Sequence, residues 1–187
     1  HKLMKREKKV MAYVSQEDKK NLAPAIKAVL KKYNVKASIA VRHHSTLVVN
    51  IKSSPLDIIS AVNESQLERT RLDLECNPHD CKTTAVRLAE QYIQVNEYWL
   101  EENYKSDPVV LAFLLELKEA MHGPDYFCED DSQTDYFHRS HYIDINVGSW
   151  SKPYICTDSP RDWTPEIEEL NQRAEQIIES QKTAMAA

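Results

Sequence analysis

The chain has 187 residues, of which 42% are hydrophobic, 28% charged and 8% aromatic, so it carries the apolar surface that a packed core needs and disordered chains lack. Lys+Arg 24 against Asp+Glu 29 leaves a net charge of −5, which excludes a chain that binds polyanions by bulk charge; any contact with nucleic acid must be a local patch. The two glycines, Gly123 and Gly148, are too few and too far apart for a phosphate-cradling GxGxxG or GxxxxGK[ST] loop or for a GxSxG nucleophile elbow.

This length predicts a single α+β domain over residues 4–187, with His1-Lys2-Leu3 ahead of Met4 read as an expression scar. After a lysine-rich start, Ser15-Gln16-Glu17-Asp18 has the oxygen-then-carboxylate spacing of a capping box. Leu22, Ile26, Val29, Leu30 and Tyr33 then recur at helical spacing; Pro24 suggests that the regular helix begins near Ala23, and Asn34 ends it. The period changes to two in Ala37–Arg42 and Thr46–Lys52, two strands joined by a short hairpin loop. Ser54-Pro55-Leu56-Asp57-Ile58-Ile59 opens a second helix, with Ser54 as the cap and Pro55 in the first turn.

Asn63–Asp80 is polar and reads as irregular, and Thr83–Glu90 as one or two helical turns. Tyr92–Asn96 alternates as a third strand. Ser106-Asp107-Pro108 caps the strongest helix, Pro108–Met121, which is apolar nearly all round and therefore predicted to be a two-sided core helix closed by Gly123 and Pro124. An acidic, aromatic loop over Tyr126–Ser140 precedes a fourth strand at Tyr142–Val147; Pro153–Cys156 returns as a short edge strand, and Thr164–Lys182 is the last helix. The predicted architecture is a mainly antiparallel sheet of four to five strands with helices on one face and a C-terminal helix alongside.

Strand alternation sends Leu47, Val49, Ile51, Ile93, Val95, Ile143, Ile145 and Val147 to the helix side. The opposite face then carries Arg42, Asn50, Lys52, Tyr92, Asn96, Tyr142, Asp144 and Asn146, and this is the predicted binding surface. Tyrosines beside cations suit the stacking of unpaired bases, as on other open sheets, and equally suit a protein partner. The acidic balance and the lack of an RNP pattern favour the protein partner.

Cys76, His79 and Cys81 offer thiolate and imidazole donors in a proline turn, the best zinc candidate, although the spacing matches no common zinc motif and a fourth ligand would have to come from Cys128, His138 or His141. The alternative is a polar loop with reduced cysteines. His43-His44 and His138-Arg139-Ser140-His141, with Asp135 or Asp144, are candidates for general-base or metal-hydrolase chemistry, against the plainer reading of surface histidines. The acidic neighbours of Cys128 argue against a nucleophilic thiolate there. The lysines of residues 2–36 and the acids Glu129, Asp130, Asp131 and Asp135 read as two solvated runs, or as an internal attraction. Four cysteines in a chain able to bury its own core, without a signal-like segment, predict reduced thiols in a cytoplasm, and the longest apolar run, Val109–Leu115, falls well short of the about 18 residues of a membrane span.

The helix over Leu22–Tyr33 followed by Val35–Arg42 and His44–Lys52 resembles small α/β proteins encoded by bacteriophages and plasmids, and the large polyvalent protein-associated domains of mobile elements. Tyr92–Asn96 and Tyr142–Trp150 extend the likeness more loosely. The resemblance implies an accessory protein in a bacterial cytosol, an inhibitor or modulator of a host protein, and transfers no catalytic residue. A nucleic-acid-binding module and a metal-dependent hydrolase are the alternatives.

Overall fold

The computed structural model describes residues 11–76, 88–89, 91–133 and 137–186. The first helix, α1 (Gln16–Lys32), starts on the expected capping box: the Ser15 hydroxyl accepts from the Asp18 N–H at 3.0 Å, and the Asp18 carboxylate accepts from the Ser15 N–H at 2.8 Å. Pro24 lies inside it. The helix begins seven residues before the predicted start because the Ser15–Asp18 capping box initiates it there, and Pro24, which lacks the N–H for one helical bond, does not interrupt it. Asn34 ends α1 in the left-handed region (φ 54°), where the Val35 N–H reaches back to the Leu30 carbonyl at 2.8 Å.

The strands β1 (Lys36–Arg42) and β2 (Thr46–Ser54) form the expected antiparallel hairpin. The second helix, α2 (Ile58–Cys76), starts later than predicted and runs on through the polar stretch. Ser54 is the buried end of β2, and the cap is Asp57, whose carboxylate accepts from the Ser60 N–H at 3.1 Å. The polar stretch from Asn63 onward is helical, and two of its buried polar side chains are partnered: the Asn63 side-chain amide donates to the Ala89 carbonyl at 2.6 Å and accepts the Ala89 N–H at 2.8 Å, and the Thr70 hydroxyl donates to the Gln66 carbonyl. The predicted turns at Thr83–Glu90 lie outside the described residues, apart from Leu88 and Ala89.

The third strand, β3 (Ile93–Val95), is shorter than predicted and leads into a brief helix that periodicity did not mark, α3 (Leu100–Tyr104). The helix α4 (Pro108–His122) has the expected cap, with the Asp107 carboxylate accepting from the Val109 and Val110 N–H groups at 3.0 and 3.1 Å. It is one-sided: Val110, Phe113, Leu114, Leu117 and Met121 are buried, while Val109 and Leu115 are exposed. Strands β4 (Tyr142–Val147) and β5 (Ile155–Cys156) and helix α5 (Thr164–Ala186) complete the fold.

The fold is α+β, with strand order β1-β2-β4-β3 and β5 paired to the far end of β2. The sheet is mixed rather than mainly antiparallel. β1 and β3 run antiparallel to their neighbours, but β2 pairs with β4 in parallel from Thr46↔Tyr142 to Ile51↔Val147. The chain between them is long enough, and helical enough, for a crossover that returns it in the same direction. Gly148 (φ 67°) then turns the chain beneath Tyr154, where an added Cβ would stand 2.5 Å from the Tyr154 nitrogen.

The core lies between the sheet and α1, α2 and α4, around Ile26, Leu47, Val49, Ile58, Phe113, Leu114, Leu117 and Ile145. A second cluster of Leu67, Leu74, Leu88, Trp163, Leu170 and Ala174 joins α5 to the outer half of α2. Leu114→Ala or Leu117→Ala is expected to cost about 2–5 kcal/mol through lost burial and an unfilled cavity, read from denaturant melts; an unchanged midpoint for both would place α4 outside the core.

Candidate functional site

Cross-strand register arranges the side of the sheet away from the helices into polar rows. Ser38, Asn50, Asn146 and Gln94 form one row; Ala40, Val48 and Asp144 the next; Arg42, Thr46 and Tyr142 the third. Two side-chain pairs span them. The Asn146 amide donates to the Asn50 amide oxygen at 3.0 Å, and the Arg42 guanidinium pairs with the Asp144 carboxylate.

Arg42 is on β1 and Asp144 on β4, with β2 between them, so their salt bridge must cross over β2 at Thr46 and Val48. That accounts for Val48, which is only 5% exposed yet belongs to neither apolar cluster. The charged and amide groups at the middle of this face are therefore paired with one another, and Arg42, Gln94 and Tyr142 are the exposed members of the three rows. Tyr142 is 38% exposed, with the Arg139 guanidinium 4.6 Å over its ring, and Arg139 is itself bound through Nε to the Asp130 carboxylate at 2.7 Å and through Nη1 to the Tyr98 hydroxyl at 2.9 Å.

The predicted face residues are only partly brought together. Arg42, Asn50, Tyr142, Asp144 and Asn146 are neighbours, and Lys52 is exposed on β2 beyond the end of the β4 pairing. Tyr92 precedes β3 and is 47% exposed. Asn96 lies just past β3, where its side chain accepts from the Tyr98 N–H at 3.1 Å and turns the chain towards α3.

The loop histidines have structural partners. The Glu129 carboxylate lies 2.8 Å from His138 Nδ1, and Nε2–H of His141 donates to the Met121 carbonyl at 2.9 Å. The acids Glu129 and Asp130 are thus paired within their own loop, to His138 and Arg139. Asp144 is engaged by Arg42, and Asp135 lies outside the described residues. Of the zinc candidates, Cys76 is the exposed last residue of α2, while His79 and Cys81 lie outside the described residues. Among the described residues no group of three or more His, Cys, Asp or Glu is placed to hold a metal ion. Burial raises the Cys156 thiol above its usual range, which disfavours the nucleophilic thiolate.

A cleft of about 550 Å³ opens between the start of α1, the end of α4 and the acidic loop, and it was not legible as a site because its walls come from three separate segments. Tyr13, Leu22, His122, Tyr126, Phe127 and His141 line it. The His122 and Tyr126 rings stack with centroids 3.7 Å apart, and His141 meets Tyr126 edge-on at 5.5 Å. His122 Nε2 lies 3.9 Å from Glu97 Oε2, beyond hydrogen-bond reach, and neither atom has a partner among the described residues. Burial, helped by Lys118, His141 and Arg139, pushes the His122 imidazole down to about 4, and burial raises the Glu97 carboxyl.

Comparisons with protein-family models, with curated proteins and with solved structures find no match to this chain. Any functional reading consequently rests on the chain's own sequence and surfaces.

His122 makes a signed prediction. Between its ordinary value near 6.5 and about 4, the unfolded chain takes up a proton that the native imidazole refuses, so stability from this group is lost as pH falls through that interval. Glu97, shifted upward, acts in the opposite sense; its contribution is lost as pH rises through its native value. His122→Gln isolates the histidine: its stability relative to wild type is expected to improve between pH 7 and pH about 4.5 in denaturant melts. A difference independent of pH would show that the imidazole is not held neutral.

Proposed function

We propose that the chain is a binding protein whose partner is another protein and whose working surface is the open face of the sheet around Tyr142. The observation that carries this reading is the internal neutralisation of the cations beside Tyr142: Arg42 is paired with Asp144, and Arg139 with Asp130. A phosphate backbone needs cations that release counterions, and of the face's basic residues Lys52 alone has no ion pair among the described residues. A pre-ordered polar face whose cations beside Tyr142 are paired, with the exposed aromatic side chains Tyr92 and Tyr142, suits protein contact, where tyrosines serve as anchors. The resemblance of the α1–β1–β2 segment to mobile-element proteins supports a host protein as the target and a modulating or inhibitory role. Chemistry at the loops is the weaker reading, since His138 and His141 are held by Glu129 and the Met121 carbonyl.

Affinity capture from bacterial lysate, with and without nuclease, tests the proposal against the nucleic-acid alternative. A nuclease-resistant protein is expected to be retained by wild type and lost by a folded Tyr92→Ala, Tyr142→Ala double variant. Once that partner is purified, Tyr142→Ala should weaken it by about 2 kcal/mol or more, a typical anchor loss. Affinity that collapses between low and moderate salt would indicate phosphate contacts instead. A folded double variant that keeps every captured component refutes the open face as the working surface.

A further inference from the structure

The edge strand β1 offers a second surface, independent of the open face. β1 stands at one end of the order β1-β2-β4-β3, and among the described residues no backbone group outside β2 and the hairpin loop bonds to it. It is regular from Ala37 to Arg42, contains no proline, and is charged only at its ends, Lys36 and Arg42. Its alternate N–H and C=O groups therefore point outward along a nearly unbroken ladder edge, the template for an added strand. Ala37, Ile39 and Val41 are partly buried against the core cluster, so an added strand would place the side chains of one face beside the flank of α1 and those of the other beside Ser38 and Ala40.

The helix above that edge has a charge asymmetry set by its packing. One flank of α1 faces α4: the Lys32 ammonium donates to Glu116 at 2.7 Å, the Tyr33 hydroxyl donates to the same carboxylate at 2.8 Å, and the Leu22 side chain abuts Gly123. With Ile26 towards the sheet, a 3.6-residue repeat puts Lys20, Lys27 and Lys31 together on the other flank. Because α4 contacts β4 and α1 contacts β1, that flank overhangs the open edge. All three lysines are exposed, and neither they nor Lys36 form an ion pair among the described residues.

We propose that the open edge of β1, with the Lys20–Lys27–Lys31 flank above it, receives an extended acidic segment of a partner protein as an added strand. Main-chain hydrogen bonds would hold the segment, and its carboxylates would meet the lysines. The same lysines disfavour a second copy of this chain, since edge-to-edge pairing would bring two such basic flanks together. They also disfavour a basic strand, so the charge selects among sequences that the backbone alone would accept.

The test uses an eight-residue peptide alternating valine and glutamate, capped at both ends. Its controls are a twin N-methylated at alternate amides, a twin with lysine for glutamate, and a thymidine oligonucleotide. Amide shift changes confined to β1 and the facing flank of α1 are expected, with both twins at least tenfold weaker by fluorescence anisotropy. Lys20→Glu, Lys27→Glu, Lys31→Glu should weaken the acidic peptide at least tenfold; if that triple variant does not fold, Lys27→Gln, Lys31→Gln gives the same readout at smaller amplitude. Tyr142→Ala should leave peptide binding unchanged, which separates this inference from the open-face reading. Absence of saturable binding, shifts mapped elsewhere, or indifference to N-methylation overturns the proposal, and an oligonucleotide that binds where the peptide does not would reassign the flank to phosphate.

Discussion

The parallel pairing of β2 with β4 is the contact on which the rest of the structure depends. β2 pairs with β1, β4 and β5, and no other strand in the described sheet has three neighbours. Its helix-side residues Leu47, Val49 and Ile51 stand in register with Ile143, Ile145 and Val147, and all six are buried. Parallel ladders are slightly weaker per residue than antiparallel ones, and here side chains supplement the ladder on the open side. Asn50 bonds Asn146 directly across the pair, and Arg42 reaches over β2 to Asp144. Both sides of the central ladder are thus reinforced by side chains, one by apolar burial and the other by polar pairing.

A second consequence concerns how polar residues are used inside the fold. α2 buries Asn63, Ser65 and Thr70, which a periodicity of apolar residues does not register. Asn63 substitutes for a strand neighbour by offering both halves of its amide to Ala89, and Thr70 donates to the Gln66 carbonyl at 2.9 Å. At the far end of β2, Ser54 and the Tyr154 hydroxyl bond one another, and Tyr154 also donates to the Leu56 carbonyl at 2.6 Å. Burial removes water from these groups, so each bond is obligatory and positions the segment that carries it.

What the sequence made legible follows the same division. Elements defined by local signals were readable: the Ser15–Asp18 capping box, the Asp107-Pro108 helix start and the alternation of Tyr142–Val147 all stand where local chemistry puts them. Elements defined by distant partners were not. The polar half of α2 depends on Ala89 and on the contact of Leu67 and Leu74 with α5, and the parallel direction of β4 depends on a crossover whose length alone leaves orientation open. The face residues were predicted from alternation, but alternation says nothing about Arg42 and Asp144 neutralising one another across an intervening strand. The cleft at His122 needs three segments to meet, and no spacing in the chain encodes that meeting.

Charge shows why local pairing matters more here than the net value of −5. The acid Asp130 is bound by Arg139 within its own loop, Asp144 by Arg42, and Glu116 by Lys32 and Tyr33. Pairing of this kind removes both signs from the long-range field, so the field near any surface is set by the charges left over. On α1 the charges left without an ion pair among the described residues include Glu17 and Lys19 near its start, and the three lysines Lys20, Lys27 and Lys31 gather on one flank, beside the open strand edge. An acidic chain can in this way present a basic edge, because the opposite charges are consumed locally at separations well inside the screening length of about 8–10 Å. The flank then acts on whatever approaches β1, whatever the sign of the chain as a whole.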